Sequence, residues 1–446
     1  MDDIVFDRPG ALTECTEMEE DGSNRSIDEV ARSSDPNRFV VEETPDQKSD
    51  AKASWQMDTT TKEQERSWRD LLKGLARGCD VTRISLGAHF LRPKSTLECL
   101  AATLQHGKLM SELNKGQSEI DRMIAVTKFH VSGLIKEVFD GKKPYNPILG
   151  ETSAWAFDNG STTSGISHMI CEQARACDNL YSTTDLHLQK VSHHPPISAF
   201  YIRNKSLAVS MEGYMHTGAQ FNGNSIAIPF GQRTLRLEQF GEDYMMTMPT
   251  MQFRGLFFGA RGVEWTGPVI VWCKKTGLVC EMEFKPLGFL GMWGEWHAGK
   301  LRRDTNESEE VLYDVSGHWD TKLILRDKST GAEQVLYDYD ECHAKEAPQR
   351  LQLSNQLPTD STVCMPLMVW GKVTEALLAG DLNVANREKL KVEDEQRALR
   401  VKEAEQKVQW TPKWFKKKKN GEWTTKLDEA EKYIEENMRA SSSIDA

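Results

Sequence analysis

This chain of 446 residues lacks three features that would assign it to a membrane-spanning or secreted class. No uninterrupted apolar stretch approaches the roughly 20 residues of a spanning helix. The start, Met1-Asp2-Asp3, has neither the basic residues nor the apolar run of a signal peptide. The nine cysteines are odd in number and show no CxxC spacing, so they predict reduced thiols and not a disulfide framework. We therefore expect a cytoplasmic protein that meets membranes from the water side.

Charge is unevenly distributed along the chain. The net charge is −11, and residues 1–66 contain eighteen acidic residues against eight Lys or Arg. An acidic, Ser/Thr-rich segment with few aromatics cannot bury enough apolar surface to fold, so residues 1–66 are predicted to form a disordered tail. The predicted folded domain spans residues 67–427, and residues 428–446 are predicted to form a C-terminal helix and tail.

The hydrophobic periodicity predicts an α+β fold that is mainly β. A helix is predicted over residues 118–139, and a charged helical region over about 375–409. Between about 152 and 325, short apolar–polar alternations are separated by Gly, Asn and Asp at hairpin-like spacing. Many successive antiparallel strands predict a curved meander or a large, near-closed barrel, and such a barrel can enclose an apolar ligand.

Two adjacent histidines, His193 and His194, are followed by Pro195-Pro196 and an apolar, strand-like run. The prolines fix φ and remove two backbone donors, which places the histidines at a strand end or edge. Imidazoles at such a rim suit an anion such as phosphate. The ordinary alternative is a turn with one histidine solvated and one packed. Nearby Cys177 and His187 lack zinc-ligand spacing, so no metal site is predicted.

A second candidate is the ladder Lys389, Glu393 and Arg397, whose i, i+4, i+8 spacing places all three along one helix face. Such ladders are common on solvated helices, which is the competing interpretation. A third candidate is the proline-stiffened segment with Lys143 and Asn146, which otherwise would be an ordinary surface turn.

Several of these motifs together resemble the oxysterol-binding-protein-related family of lipid-transfer proteins. The string SHHPPISAFY resembles that family's signature, and the segment KKPYNPILGE resembles its KPxNPxLGE motif. Two later segments, WGKVTEA and VQWTPKWF, are similar to its C-terminal landmarks. The resemblance runs from about Ser67 to about Leu427, which suggests a short form that consists of the lipid-binding domain.

The resemblance implies a tunnel that holds phosphatidylinositol 4-phosphate or a second lipid and exchanges them between membranes. The implied second lipid is phosphatidylserine or a sterol. The segments TRISL and PKSTLE look closer to the phosphatidylserine carriers, although Gly87 stands where those have proline. The implied partners are these lipids and membrane surfaces at endoplasmic reticulum contact sites, Golgi or plasma membrane, with no nucleic acid and no cofactor. The implied headgroup ligands are Lys143, Asn146, His193, His194, Lys389, Glu393 and Arg397.

The chain departs from the family pattern at one place. The family has Glu-Gln directly before VSHHPP, whereas here Glu172-Gln173 are followed by seventeen further residues, Ala174 to Lys190. These residues are predicted to interrupt a strand between Gln173 and Val191, and the two explanations are a true loop insertion and a gene-model error such as a retained short intron.

Two other function classes compete with lipid transfer. One is a hydrolase that uses His193 or His194 as a base, but no Ser or Cys lies in a nucleophile-elbow context. The other is a lipid sensor or scaffold that binds without transferring, since both activities use the same pocket.

Residues 67–79 are predicted to form a lid helix. Trp68, Leu71, Leu72 and Leu75 fall at i, i+3, i+4, i+7, which places them on one helix face. The resemblance implies a lid over the tunnel whose apolar face meets the bilayer when open. The alternative is a helix that packs against the core.

The lid is testable with two truncations, one starting at Ser67 and one at Asp80. The shorter chain should retain bound lipid less well and transfer it more slowly, because each buried apolar side chain contributes about 1.5–3 kcal/mol. A liposome-to-liposome transfer assay compares the two. Equal transfer by both chains would show that the helix is ordinary core packing.

Overall fold

The structure is a computed structural model. The residues that it describes are 87–100, 107–134, 142–158, 166–175, 197–216, 220–221, 225–228, 231–255, 262–286, 297–304, 308–343, 350–351, 366–407 and 410–442. The predicted acidic tail, the histidine pair and the lid residues lie outside this part of the chain. These side chains are His193, His194, Trp68, Leu71, Leu72 and Leu75.

Seven α-helices lie in the described part, after a short 3₁₀ helix at Ala88–Phe90. They are Thr96–Leu100 (α1), Gly107–Met110 (α2), Glu119–Ser132 (α3), Tyr339–His343 (α4), Pro366–Leu378 (α5), Leu382–Gln406 (α6) and Leu427–Ser442 (α7). Ser118 caps α3: its side chain accepts the Asp121 N–H at 3.1 Å, and the Asp121 carboxylate accepts the Ser118 N–H at 3.0 Å. None of the described helices combines the length and apolarity needed to cross a membrane.

The helical region predicted from about residue 375 to 409 contains the end of one helix and the whole of another. Helix α5 ends at Leu378 and α6 begins at Leu382. Gly380 lies between them with φ +75°, a left-handed conformation that glycine adopts without a Cβ clash. The two helices pack against each other across this turn.

Twenty strands are described. They are Leu91–Ser95 (β1), Lys143–Tyr145 (β2), Thr152–Asp158 (β3), Ile166–Arg175 (β4), Ile197–Asn204 (β5), Val209–His216 (β6), Gln220–Phe221 (β7), Ser225–Ile228 (β8), Gln232–Leu237 (β9), Glu242–Thr247 (β10), Thr250–Arg254 (β11), Gly262–Cys273 (β12), Leu278–Phe284 (β13), His297–Asp304 (β14), Glu309–Gly317 (β15), Lys322–Asp327 (β16), Glu333–Asp338 (β17), Arg350–Leu351 (β18), Phe415–Lys417 (β19) and Trp423–Thr425 (β20).

Most of these strands form one antiparallel sheet. Its order is β17-β16-β15-β14-β13-β12-β10-β9-β6-β5-β4-β3-β18, and β11, β8 and β7 extend from β12. The predicted mainly β fold with a large antiparallel sheet is confirmed. Closure is not shown, because within the described residues the end strands β17 and β18 do not pair with each other. Two further pairs lie outside this sheet: β1 pairs with β2 in parallel, and β19 pairs with β20. In the turn between β19 and β20, the Lys418 N–H donates to the Glu422 carbonyl at 2.7 Å.

At β5 the sheet is covered on both of its faces. On β5, Phe200 and Ile202 belong to the main core, which they share with α1–α3, whereas Ala199 and Tyr201 belong to a second cluster with Trp414. Successive side chains of a strand point to opposite faces, so this alternation assigns one face to each cluster. The first helices therefore cover one face, and the segment after α6 covers the other.

An ion pair inside the structure joins α3 to β10. The Arg122 guanidinium donates to both Glu242 carboxylate oxygens, at 2.8 and 2.5 Å, and the Tyr244 hydroxyl donates to the same carboxylate at 2.7 Å. Burial raises the pKa of Glu242, but the hydrogen bonds from Arg122 and Tyr244 together with the nearby positive charges outweigh it and leave that pKa below its ordinary value. This geometry satisfies the charges of both partners away from water.

We expect Arg122→Leu to destabilise the fold by about 3–5 kcal/mol, because it leaves the Glu242 carboxylate buried without its cation. The matched control is Arg236→Leu on the adjacent hairpin, where the Arg236–Asp243 pair is 57% and 47% exposed. That change should cost at most about 1 kcal/mol. Urea unfolding followed by fluorescence measures both; equal losses would contradict the assignment.

Candidate functional site

Helix α6 brings two of the three ladder residues together. The Lys389 ammonium lies 2.7 Å from the Glu393 carboxylate, one helical turn further on. The Lys389 side chain is only 9% exposed, whereas that of Glu393 is 33% exposed. A lysine that is held this far from water and paired at i+4 is not a solvated surface residue.

Arg397 lies one further turn along α6. Its side chain is 54% exposed, and its guanidinium contacts the Asp394 carboxylate at 2.5 Å. Its Nε also donates to the Glu393 backbone carbonyl at 3.3 Å. Arg397 therefore lies on the helix at the expected position, but its carboxylate partner is Asp394 and it is open to solvent.

Lys143 and Asn146 lie at the two ends of β2 and its following turn. Both residues are exposed, whereas Tyr145 between them is buried. The Tyr145 ring stacks on Trp370 of α5 with centroids 4.8 Å apart, and its hydroxyl lies 2.9 Å from the Thr374 hydroxyl. The buried tyrosine thus fixes the segment that presents the two polar side chains to solvent.

The loop that follows Asn146 lies against α6. The Gln396 side-chain oxygen accepts the Leu149 N–H at 2.9 Å, and Val392 packs with Ile148 in the cluster around Tyr145 and Trp370. Ten residues earlier on α6, the Asn386 side-chain oxygen accepts the Ala88 N–H at 2.7 Å. The structure therefore brings the ladder helix and the KPYNPILGE segment together. Neither Gln396 nor Asn386 was among the predicted headgroup ligands.

Glu151 is a buried carboxylate that joins three segments around this loop. It accepts hydrogen bonds from the Ser95 hydroxyl at 2.5 Å, the Trp370 indole N–H at 2.9 Å and the Ile148 N–H at 3.1 Å. Burial raises its pKa to about 7, against the lowering effect of these donors. Sequence analysis identified this residue only as a letter of the motif, because its partners are far apart in the chain.

A second buried carboxylate, Glu172, ties the segment after α6 to β4. It accepts the backbone N–H groups of Lys413 at 2.7 Å and Trp414 at 2.9 Å. Burial raises its pKa above the ordinary value, although these two donors lower it. The VQWTPKWF segment is therefore fixed directly beside β4.

The predicted insertion is placed differently from the expectation. Strand β4 continues to Arg175, which lies opposite Ile197 of β5, and Gln173 lies opposite Ser198. Ala174 and Arg175 thus belong to β4, and β4 and β5 are separate antiparallel strands, so no single strand is interrupted. The remaining residues of the segment, and those up to Pro196, lie outside the described part.

Glu151 predicts a defined pH dependence of stability. Its carboxyl titrates near 4.5 when unfolded and near 7 when folded, so between these values the folded state holds a proton that the unfolded state releases. Stability should then fall as pH rises through this window, by about 3 kcal/mol in total. The Glu151→Gln variant lacks this titrating proton. The difference in unfolding free energy between the unmodified protein and this variant should therefore change across the window. A constant difference would contradict this assignment.

Comparison with known proteins places the chain in a family. A family model, Oxysterol-binding protein, matches residues 71–438. Human oxysterol-binding protein-related protein 5 is 30% identical over 376 residues, which cover 84% of this chain and 40% of that protein. Oxysterol-binding protein 4 of Dictyostelium discoideum is 31% identical over 370 residues, which cover 80% of this chain and 72% of that protein. The chain thus spans about 40% of the length of the human relative.

Solved structures show the same fold. The ORD domain of Osh1, in complex with cholesterol, has a TM-score of 0.60 and 21% identity, covering 82% of this chain and 95% of that one. The ORD of Osh3 from Saccharomyces cerevisiae, in complex with PI(4)P, has a TM-score of 0.58 and 21% identity, covering 80% of this chain and 89% of that one. Since the family model covers most of its length, this chain belongs to the oxysterol-binding protein family.

Proposed function

We propose that this protein binds phosphatidylinositol 4-phosphate and a second lipid, phosphatidylserine or a sterol, and exchanges them between membranes. The observation that carries the proposal is the Lys389–Glu393 pair, largely buried on α6 beside the KPYNPILGE loop. A lysine kept this far from water has lost hydration, so a phosphate that reaches it gains a strong charge-assisted contact.

The neighbouring polar groups supply the remaining chemistry of an inositol phosphate. Arg397 offers a planar guanidinium that binds phosphate with two parallel N–H groups, and its exposure leaves it accessible. Glu393 can accept a hydrogen bond from an inositol hydroxyl while it orients Lys389. Lys143 and Asn146, on the exposed segment next to α6, add a charge and an amide donor. In the proposed site, His193 and His194 complete the donor set.

The relatives support both lipid classes. The Osh3 ORD was solved with PI(4)P and the Osh1 ORD with cholesterol, and both share the fold of this chain. A soluble carrier must shield the acyl chains or sterol rings of its cargo from water, and we propose that the curved sheet closes into a near-complete barrel for this purpose.

Exchange follows from shared occupancy. If both lipids use one tunnel, each excludes the other, and a difference in phosphoinositide content between two membranes drives the second lipid the other way. We propose that the protein works from the cytoplasm at the surfaces of those membranes, at endoplasmic reticulum contact sites, Golgi or plasma membrane. A transfer protein moves an amount of lipid that grows with time and with the protein concentration. A sensor that does not transfer captures one lipid per protein molecule, and the capture then stops.

The Lys389→Gln variant tests the proposal. It should weaken extraction of phosphatidylinositol 4-phosphate from vesicles roughly tenfold or more, because a charged contact to phosphate is worth about 1.5–3 kcal/mol. The matched control is Lys391→Gln on the same helix, whose lysine is 58% exposed and pairs with Glu388. The control should extract like the unmodified protein. Unchanged extraction by a folded Lys389→Gln variant would overturn the site assignment.

A further inference from the structure

Two side-chain amides flank the Lys389–Glu393 pair symmetrically on α6. Asn386 precedes Lys389 by three residues, and Gln396 follows Glu393 by three residues. Residues separated by three, seven and ten positions share one face of a helix. The two amides and the ion pair therefore lie along a single face.

Each amide accepts a backbone N–H from a distant part of the chain. Asn386 accepts the Ala88 N–H at 2.7 Å, and Gln396 accepts the Leu149 N–H at 2.9 Å. Both contacts are partly buried, so the loss of either side-chain acceptor leaves a backbone N–H group without a hydrogen-bond partner. Amides are neutral, so they hold the backbone without adding negative charge to a site that takes a phosphate.

The loop is also held through Glu151, a residue of the same KPYNPILGE segment. The Ile148 N–H donates to Glu151, and the next N–H, that of Leu149, donates to Gln396. Glu151 in turn accepts from Ser95 and from Trp370 of α5. The segment is thus tied both to β1 and α5 and to α6, which fixes its orientation relative to α6. The two contacts of α6 are ten residues apart, or roughly 15 Å along the axis. A helix held at two such points cannot slide or rotate freely against its neighbours.

We propose that Asn386 and Gln396 are positioning residues that set headgroup selectivity without touching the lipid. They hold Lys389 and Glu393 at a fixed distance from the segment that carries Lys143 and Asn146. The inference rests on the proposed function, because it concerns the same headgroup site. A site with fixed spacing between cations distinguishes phosphates at different ring positions, whereas a loosened site accepts several.

The test compares Gln396→Leu and Asn386→Leu with matched controls on the same helix, Gln406→Leu and Asn383→Leu, whose side chains are exposed. Each variant is incubated with vesicles that contain phosphatidylinositol 4-phosphate or its 3- or 5-phosphate isomer. We expect the first pair to lose roughly three- to tenfold in affinity for the 4-phosphate. We also expect their preference for it over the isomers to fall, and the controls to behave like the unmodified protein.

The preference ratio separates positioning from simple destabilisation. A variant that is merely less folded binds all three isomers less well by the same factor, so its ratio stays constant. Hydrogen exchange gives a second readout: exchange at the Leu149 amide should accelerate in Gln396→Leu and stay slow in Gln396→Glu, which keeps an acceptor oxygen. An unchanged ratio with normal binding by the unmodified protein overturns the positioning role alone. Absence of binding by the unmodified protein overturns the proposed function and this inference together.

Discussion

The arrangement of the candidate site depends on one buried carboxylate, that of Glu151. It receives donors from β1, from the loop after β2 and from α5, so three elements that are distant in sequence meet at one group. A buried carboxylate is costly, and here three donors offset part of that cost. The same contacts that offset this cost place the KPYNPILGE loop beside α6.

The second constraint is that the sheet is covered on both faces around β4 and β5. One face packs against α1–α3, and the other packs against the segment after α6, where Glu172 binds the Lys413 and Trp414 amides. Helix α6 lies between the turn that follows α5 and the segment that Glu172 binds. Both ends of α6 are therefore connected to packed parts of the protein. Helix α6, in which about half of the residues are charged, gains a defined position from these contacts.

Local patterns in the sequence predicted what local geometry determines. The i, i+4 spacing of Lys389 and Glu393 predicted their contact, and the alternation of apolar residues predicted the many short strands. The break between α5 and α6 was not located within the predicted helical region, although Gly380 marks it in the structure. The exposure of Arg397 and its contact with Asp394 were not predicted, since Asp394 and Glu393 are both within reach of a long side chain.

Contacts between distant segments could not be predicted from one sequence, and they define most of the site. The pairing of Gln396 with Leu149 spans 247 positions, and that of Asn386 with Ala88 spans 298. Nothing in the local pattern of an exposed helix distinguishes an amide that binds a distant backbone from one that binds water. Whether such an amide binds a distant backbone affects phosphate recognition. A cation that is free to move adapts to any phosphate, whereas a cation on a helix that is fixed at two points favours a single geometry. The burial of Lys389 and the exposure of Arg397 then suit different tasks, since the first supplies a fixed charge and the second a guanidinium that can follow the headgroup.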